Sequence, residues 1–364
     1  MRKRLPVQAR RPFQRHWLHP LTDQGGVALV VTLLIVTLVA VIVLDVNYLM
    51  RVDVHAAANF RDGVRSYYLA KGGLYFTQEV FSRNIQELEA LKNILLSGGS
   101  HTLPLGDGEV TVRVVDETGK INLNALVIEA GTDQRTPQSG GQQLAAPTTT
   151  TDPQVASPWI QIAQDLFQRL GIDPLLVEAI VDWIDVDDIP TGAGGAESNY
   201  YRSLDRPYTA RNGPMETIAE LRLIRGFTDE VLLKLGARRV GGIVDPATNP
   251  YLTALPLPQG GGWRVNLNTA PPLILSSLTR EVGQYADVIV QRRNQGRIEK
   301  INDLQQLGIT GDALQDFERL GMLDSVYYSI ESRGSVGEMS KQVSALVRGG
   351  GNQGGSEILY WRVQ

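Results

Sequence analysis

The chain contains no cysteine and only four histidines among its 364 residues. Without thiols it cannot form disulfides, bind a metal through thiolates or use a cysteine nucleophile. The histidines lie at positions 16, 19, 55 and 101, and none belongs to a catalytic-triad pattern. A P-loop and a G-x-S-x-G sequence are also absent. These absences argue against an enzyme.

Positive charge is concentrated in the first 26 residues, which carry six Lys or Arg and the single acid Asp23. Because the whole chain has a net charge of −4, the remaining residues carry −9. An acidic body has no electrostatic reason to bind nucleic acid or anionic lipid.

One long apolar run stands out, Val27 to Leu44, in which only Thr32 and Thr37 are polar. As a helix its 18 residues span about 27 Å, close to the hydrocarbon thickness of a bilayer. No small-x-small cleavage motif follows it, which disfavours a discarded signal peptide. The basic leader predicts a cytoplasmic N-terminus, so the bulk is expected in the periplasm of a diderm bacterium, anchored by one pass through the inner membrane.

Beyond the span, apolar residues recur at spacings of three and four as far as Tyr75, and residues 84–96 are again helical in pattern. The sequence predicts an N-terminal helix over residues 27–97, transmembrane at 27–44 and amphipathic behind.

Alternating residues predict strands at Glu109–Val115 and between 325 and 363, whereas the residues between them are helical in pattern. The predicted fold is α+β. The long helix packs on a small antiparallel sheet, into which a large all-α domain of two helix-hairpin-helix or SAM-like units is inserted. The predicted segments are a leader (1–26), the helix (27–97), a first sheet part (98–130), a low-complexity linker (131–157), helical units (158–240 and 264–323) joined by a linker (241–263), and C-terminal strands (324–364).

A short motif occurs twice, as INLNAL at 121–126 and as VNLNTAPP at 265–272. Asparagine side chains in such segments hold turns through hydrogen bonds to the backbone.

Six carboxylates lie within 24 residues of the first helical unit: Asp182, Asp185, Asp187, Asp188, Glu197 and Asp205. Several carboxylates on a bent backbone suit a hard cation with oxygen ligands, and the lack of sulfur and histidine disfavours zinc. The spacing is not that of an EF-hand, and a solvated acidic loop remains the alternative. Because the acids share one local segment, paired-carboxylate catalysis is disfavoured.

The basic leader that ends in Gly26, directly followed by the apolar helix, resembles a type IV prepilin or pseudopilin. The resemblance implies that a membrane prepilin peptidase cleaves between Gly26 and Val27 and that the new Val27 amine is methylated. Most relatives carry Glu at the fifth mature position, where this chain has Val31. The resemblance implies that a subunit without this Glu is the first one, at the tip of its filament.

The run DWIDVDD…GGAESNYYRSLDRPY, followed by METIAELRLIRGFT, resembles the K-type minor pseudopilin of type II secretion. The resemblance implies a structural calcium ion bound by Asp185, Asp187, Asp188, Glu197 and Asp205. Ser198 departs from the pattern, because relatives often have an acid there. The implied partners are the I-type and J-type minor pseudopilins, the inner-membrane secretion platform and the secreted substrates. The implied role is to initiate or cap the pseudopilus in support of protein export across the outer membrane.

Residues 264–323 also resemble a helix-hairpin-helix module, so a membrane-anchored DNA-uptake protein is the alternative. Its hairpin reads Arg280-Glu281-Val282-Gly283, with one glycine and one acid, and the segment holds seven basic and seven acidic residues. A neutral segment is a poor phosphate-binding surface, so no nucleic-acid partner is expected.

Overall fold

The computed structural model describes residues 24–82, 86–96, 98–127, 157–258, 262–349 and 355–364. Of the predicted leader, residues 1–23 lie outside the described residues, as does the predicted low-complexity linker from 131 to 156. The chain divides into two compact units, residues 1–62 and 63–364.

The structure contains long and short elements in the following order along the chain. The helices are α1 (Gln24–Ser82), α2 (Gln86–Leu96), α3 (Pro158–Arg169), α4 (Leu176–Ile184), α5 (Ser198–Arg202), α6 (Asp229–Lys234), α7 (Pro272–Ser277), α8 (Arg280–Gly283), α9 (Ala286–Gln295), α10 (Asp303–Gln306) and α11 (Asp312–Leu320). The strands are β1 (Ser100–Leu105), β2 (Gly108–Asp116), β3 (Ile121–Asn122), β4 (Arg238–Val240), β5 (Ile243–Asp245), β6 (Leu252–Thr253), β7 (Val265–Asn266), β8 (Gly321–Met322), β9 (Tyr327–Val336), β10 (Met339–Arg348) and β11 (Glu357–Val363).

In the first unit, every described residue belongs to α1, whose apolar side chains are exposed from Val27 to Leu44. The Thr32 and Thr37 hydroxyls each donate to a backbone carbonyl three residues earlier at 2.9 Å, which satisfies the two polar groups of this stretch. Among the described helices, α1 alone is long and apolar enough to cross a membrane, with a mean hydropathy of 3.3 in its most apolar window. The predicted helix over the apolar run is therefore confirmed.

The second unit contains a five-stranded antiparallel sheet in the order β1-β2-β9-β10-β11. The alternation that predicted β2 is confirmed, because Val110, Val112 and Val114 are buried. They form one core with Leu74 of α1 and with Ile330 of β9. The sheet thus packs against the C-terminal part of α1.

Gly73 lets this part of α1 approach the sheet closely. A Cβ atom there would lie 2.5 Å from the Ser332 hydroxyl and 2.5 Å from a Val110 methyl. The adjacent Gly72 has no atom within 4 Å of the corresponding position. A glycine is therefore required by packing at one of these two positions only.

Strands β2 and β9 are neighbours in the sheet although the whole helical region lies between them in the sequence. In their register Val114 faces Ile330 and Asp116 faces Tyr328. The chain therefore leaves the sheet after Asp116 and re-enters it in β9, where Tyr328 lies opposite Asp116.

The helical region has one continuous hydrophobic core that extends from Trp159 and Phe167 in α3 to Phe317 in α11. It is not all-α as predicted, because three two-stranded pairs lie among its helices: parallel β3–β6, antiparallel β4–β5 and parallel β7–β8. Strands of two or three residues are too short to show a period in sequence.

The predicted linker at 241–263 is also corrected over its described residues. It contains β5 and β6, and its residues Val244, Leu252 and Leu255 are almost completely buried. Its glycines and prolines resemble those of a linker, but β6 pairs with the distant β3 and this pairing orders the segment.

The two repeated motifs fold alike. Asn122 and Asn266 each accept a hydrogen bond from the backbone N–H two residues on, at 3.1 and 3.0 Å. The second asparagine of each motif makes a reciprocal pair with a distant residue: Asn124 with Met215, and Asn268 with Ile298. The predicted turns are confirmed, and each motif also fixes a loop of its helical unit.

A buried carboxylate, Asp116, stands where the sheet meets the helical region. It accepts hydrogen bonds from Thr118 N at 2.9 Å, Asn266 Nδ2 at 2.8 Å, and the hydroxyls of Thr269 and Ser325 at 2.5 Å. The pKa of Asp116 is raised above its ordinary value, because burial raises it by more than these four hydrogen bonds lower it. Four donors from separate segments compensate for the loss of water around this group.

Candidate metal centre

The end of α4 positions two of the acids. Asp182 lies in the last turn of the helix and is fully buried, and Asp185 caps its C-terminus, where its backbone N–H donates to Val181 O at 2.8 Å. They are three positions apart in the sequence, so both carboxylates lie on one face.

The loop after α4 is held back over the helix by carboxylates of α4 itself. Asp182 Oδ1 accepts a hydrogen bond from Thr191 N at 2.9 Å, and Glu178 Oε2 accepts one from Gly194 N at 2.7 Å. Gly195 lies so close that a Cβ atom there would be 2.5 Å from Asp182 Oδ2. Glycine at this position therefore allows the loop to fold closely over α4.

This fold brings Glu197 against the helix end. Glu197 precedes α5, and only 2% of its surface is exposed. One carboxylate oxygen from each of Asp182, Asp185 and Glu197 lies within 4.8 Å of the other two.

Several oxygen atoms at this point are buried without a hydrogen-bond partner. They are Asp182 Oδ2, Asp185 Oδ1, both Glu197 carboxylate oxygens and Asn212 Oδ1. Across the described parts of the chain, no ion pair reaches Asp182, Asp185 or Glu197. Unpaired buried carboxylates are strongly unfavourable unless a cation or protons compensate for them.

The pKa values reflect this strain. Burial first, and then the charges of Asp187 and Asp182, raise the pKa of Asp185 to about 7. Burial first, and then the charges of its four acidic neighbours, raise the pKa of Glu197 to about 7. Burial also raises the pKa of Asp182, although the hydrogen bond from Thr191 N opposes that shift.

The other ligands suggested by the resemblance are placed differently. Asp187 and Asp188 are exposed, but both lie near enough to Glu197 to raise its pKa. Asp187 Oδ1 accepts a hydrogen bond from Ile189 N at 2.8 Å, and Asp188 Oδ1 accepts one from Asn212 Nδ2 at 3.3 Å. Asp205 is exposed and is not part of the three-carboxylate group, while Ser198 is buried at the start of α5.

The structure thus adds Asp182 to the candidate ligands. Its i, i+3 relation to Asp185 was visible in the sequence, but its burial was not. Three carboxylates with four unpartnered oxygens and no sulfur or nitrogen ligand fit a hard cation such as Ca²⁺, which takes six to eight oxygens.

Aromatic packing makes the site rigid. Trp183 and Tyr201 stack edge to face with ring centroids 5.3 Å apart, and Trp183 Nε1 donates to Glu220 Oε2 at 3.0 Å. Glu220 also forms a capping box with Thr217, which starts a 3-10 turn over Ile218–Leu223. These contacts fix the helix that carries Asp182 and Asp185.

The structure does not favour nucleic-acid binding by the helix-hairpin-helix segment. The hairpin is the short helix α8, with Thr279 as its cap. Two of its N–H groups are used inside the hairpin, since Val282 N donates to Thr279 Oγ1 at 3.1 Å and Gly283 N donates to Thr279 O at 2.8 Å. These two groups are not free to bind phosphate.

Comparisons with known proteins were made against this fold and site. Residues 119–237 match the family described as Type II secretion system (T2SS), protein K. The Type II secretion system protein K of Aeromonas hydrophila is 24% identical over 347 residues, which cover 91% of this chain and 95% of that protein. The protein of the same name from Pseudomonas aeruginosa is 24% identical over 336 residues, which cover 90% of this chain and 89% of that protein.

A solved structure is also similar, the crystal structure of the GspK-GspI-GspJ complex from the enterotoxigenic Escherichia coli Type 2 Secretion System. The match has a TM-score of 0.54 at 20% identity and covers 83% of this chain and 99% of the matched chain. At this identity the match shows a shared fold.

A bilayer-length apolar helix, an antiparallel sheet packed on the continuation of that helix and an attached helical region define a single-pass, membrane-anchored protein of mixed helix and sheet. In agreement with the resemblance, residues 119–237 match the protein K family, and about nine-tenths of the chain is similar to proteins named Type II secretion system protein K.

Proposed function

We propose that this protein is the tip subunit of the type II secretion pseudopilus. It initiates or caps the filament together with the I-type and J-type minor pseudopilins and so supports protein export across the outer membrane. The architecture is the observation that carries the proposal. A large helical region lies in the sequence between β2 and β9, which are neighbouring strands of the small sheet. The similarity to a chain of the GspK-GspI-GspJ complex supports the choice of partners.

In this proposal the helical region is one inserted domain with two helix-hairpin-helix or SAM-like units. Its bulk blocks addition of a further subunit above it, so that growth proceeds from below. The continuous core through both units supports its action as one block.

The N-terminal part of the proposal concerns processing. The prepilin peptidase cuts between Gly26 and Val27 on the cytoplasmic side, and Val27 is methylated. Val31, in place of Glu, fits a subunit that has no neighbour above it whose amine needs a countercharge, because a lone charge in the bilayer is costly. The bulk of the protein then lies in the periplasm.

The acid cluster is proposed to bind one structural Ca²⁺ through Asp182, Asp185 and Glu197, with Asp187 and Asp188 contributing from the exposed side. When bound, the ion supplies the positive charge that the buried carboxylates lack. Asp205, which the resemblance also suggested, is assigned no ligand role because it is exposed and lies outside the three-carboxylate group.

The partner proposal is tested by assembly. The full chain and the I-type and J-type pseudopilins of the same organism are co-expressed in membranes, extracted in mild detergent and separated by size. A complex with one copy of each is expected. Replacement of residues 117–326 by a short turn should preserve the complex and abolish growth control, seen as altered pseudopilus length. A chain that never co-migrates with the other two would contradict the tip role.

The calcium proposal is tested separately. Calcium should raise the melting temperature of the full chain in detergent, because a ligand bound only by the folded state stabilises it. The double variant Asp182→Asn with Glu197→Gln should melt at a temperature that calcium does not change. An unchanged melting temperature of the wild type in calcium and in chelator would remove the metal from the proposal.

A further inference from the structure

Asn212 stands beside the acid cluster and comes from a different segment, the turn between α5 and the 3-10 turn at Ile218–Leu223. Its Nδ2 donates to the backbone oxygen of Asp187 at 3.0 Å and to Asp188 Oδ1 at 3.3 Å. The amide thereby joins this turn to the loop that carries the acids.

The orientation of the amide follows from these two bonds. Both partners of Nδ2 are acceptors, so the nitrogen faces the loop and Oδ1 is the amide atom directed away from these two acceptors. Oδ1 is buried and has no hydrogen-bond partner. It shares this condition with the unpartnered oxygens of Asp182, Asp185 and Glu197.

The backbone of Asn212 is also unusual. Its φ of 48° is the one positive value at a non-glycine residue among the described residues. Asparagine tolerates this conformation better than other side-chain-bearing residues, and such strained conformations concentrate at ligand sites. The next residue is Gly213, so a glycine is available within this turn but does not occupy the strained position.

We propose that Asn212 Oδ1 is an additional, neutral ligand of the cation at the Asp182–Asp185–Glu197 centre. Side-chain amide oxygens are ordinary Ca²⁺ ligands, and three carboxylates alone leave several of the six to eight coordination positions open. A neutral oxygen fills one of these positions without adding to the repulsion among the acids. The inference rests on the calcium site of the proposed function.

Ligation at this position ties the site to the helical core. The turn that carries Asn212 is anchored three residues later, where Met215 N donates to Asn124 Oδ1 at 2.7 Å and Asn124 Nδ2 donates to Met215 O at 3.0 Å. The cation would therefore connect three parts of the first helical unit: the end of α4, the start of α5 and this anchored turn.

The test uses the full chain in detergent, with Ca²⁺ affinity measured by calorimetry and with Tb³⁺ as a luminescent substitute. Terbium lifetimes in H₂O and D₂O count the water molecules bound to the metal. Asn212→Gly keeps the left-handed backbone and removes only the amide, so it should weaken Ca²⁺ binding about 10-fold and add one bound water. Asn212→Asp keeps an oxygen at the position and should add no water.

Gly213→Ala is the matched control, because an added Cβ atom would have only Arg211 O nearby, at 3.9 Å. It should change neither the affinity nor the water count. Thermal melts of all variants in chelator show whether each one folds.

The outcomes separate the two proposals. If wild type binds neither ion, the calcium site fails and the Asn212 ligand fails with it. If wild type binds and Asn212→Gly keeps both the affinity and the water count, only the Asn212 proposal is overturned. A weaker affinity with an unchanged water count also overturns ligation, because the amide would then only hold the loop.

Discussion

Asn124 and Met215, 91 residues apart, exchange two hydrogen bonds: Met215 N donates to Asn124 Oδ1 at 2.7 Å, and Asn124 Nδ2 donates to Met215 O at 3.0 Å. The same Nδ2 also donates to Leu255 O at 3.0 Å. A single buried side chain thus satisfies three backbone groups from two distant segments. Asn268 plays the matching part in the second helical unit, where it bonds Ile298 and Leu323.

Replacement of Asn124 should therefore destabilise the protein. In Asn124→Leu the buried N–H and C=O groups of Met215 lose their partner, whereas Leu255 O keeps the hydrogen bond from Asn122 Nδ2 at 3.0 Å. Each lost partner costs about 1–3 kcal/mol. We expect the free energy of unfolding to fall by about 3 kcal/mol, measured by chemical denaturation in detergent. The exposed Asn294→Leu, on the surface of α9, is the control and should have little effect. Equal stability of the two variants would show that the hydrogen bonds between Asn124 and Met215 do not stabilise the fold.

The two adjacent glycines of α1 should respond in opposite ways to the same substitution. Gly73→Ala places a methyl 2.5 Å from Ser332 and Val110 and should destabilise by about 1–3 kcal/mol through overpacking. Gly72→Ala meets no atom within 4 Å and should stabilise the helix by about 0.5–1 kcal/mol. Thermal melting of both variants decides the matter. If both substitutions shift the melting temperature in the same direction, the close contact of Gly73 with the sheet is contradicted.

Calcium binding should release protons near neutral pH. Asp185 and Glu197 each have a pKa of about 7 in the folded chain without metal, whereas ordinary unfolded values are about 4. A raised carboxyl pKa means that the fold favours the protonated form, so without calcium the free energy of unfolding falls as pH rises from about 4 to about 7. A metal requires the deprotonated carboxylates, so affinity should increase as pH rises through about 7.

Calorimetry in two buffers of different ionisation enthalpy measures this release. At pH 6.5 we expect at most about two protons to leave per ion bound, and almost none at pH 8.5. Asp205→Asn should release the same number as wild type, because Asp205 is exposed and outside the three-carboxylate group. A release that does not depend on pH between 6.5 and 8.5 is the result that speaks against these pKa values.

Processing at the N-terminus gives a prediction that is independent of the metal. Mass spectrometry of the membrane-extracted protein should find a chain that begins at N-methylated Val27. Gly26→Leu should leave the precursor intact, because a bulky side chain does not suit a tight peptidase cleft, whereas the neighbouring Gly25→Ala should still be processed. An assembled protein that retains Met1 would count against the pseudopilin route.

The sequence predicted the elements that have a strong period or a cap. The alternation around Val112 predicted β2. Thr217 and Glu220 have the spacing of a capping box, and the structure shows this box at the start of a 3-10 turn. It did not predict β1, because SHTLPL contains a proline and does not alternate. Asp173-Pro174 has the pattern of an N-cap followed by a first-turn proline, but Asp173 caps a turn by accepting from Leu175 N at 3.0 Å, and α4 begins at Leu176.

The acid cluster was predicted as a group, but its geometry was not. Asp182 looked like a partner of Asp185 on the helix face, yet only the fold of the loop over α4 shows that it is fully buried beside Glu197. Asp205 lies close to Glu197 in the sequence but does not join it in space. Asn212 carried no signal that distinguishes it from any polar turn residue, because its positive φ and its unpartnered oxygen exist only in three dimensions.

Asp116 and Tyr328 face each other across β2 and β9, so the chain resumes the sheet almost where it left it. When two ends this close are joined by about two hundred residues instead of a hairpin turn, the loop-closure cost rises by only about 0.6 kcal/mol for each doubling of the loop length. An ancestral gene could therefore have acquired or exchanged the intervening segment in one step without re-registering a single strand. For the same reason, the connection between β2 and β9 is a suitable place for inserting a foreign domain by protein engineering.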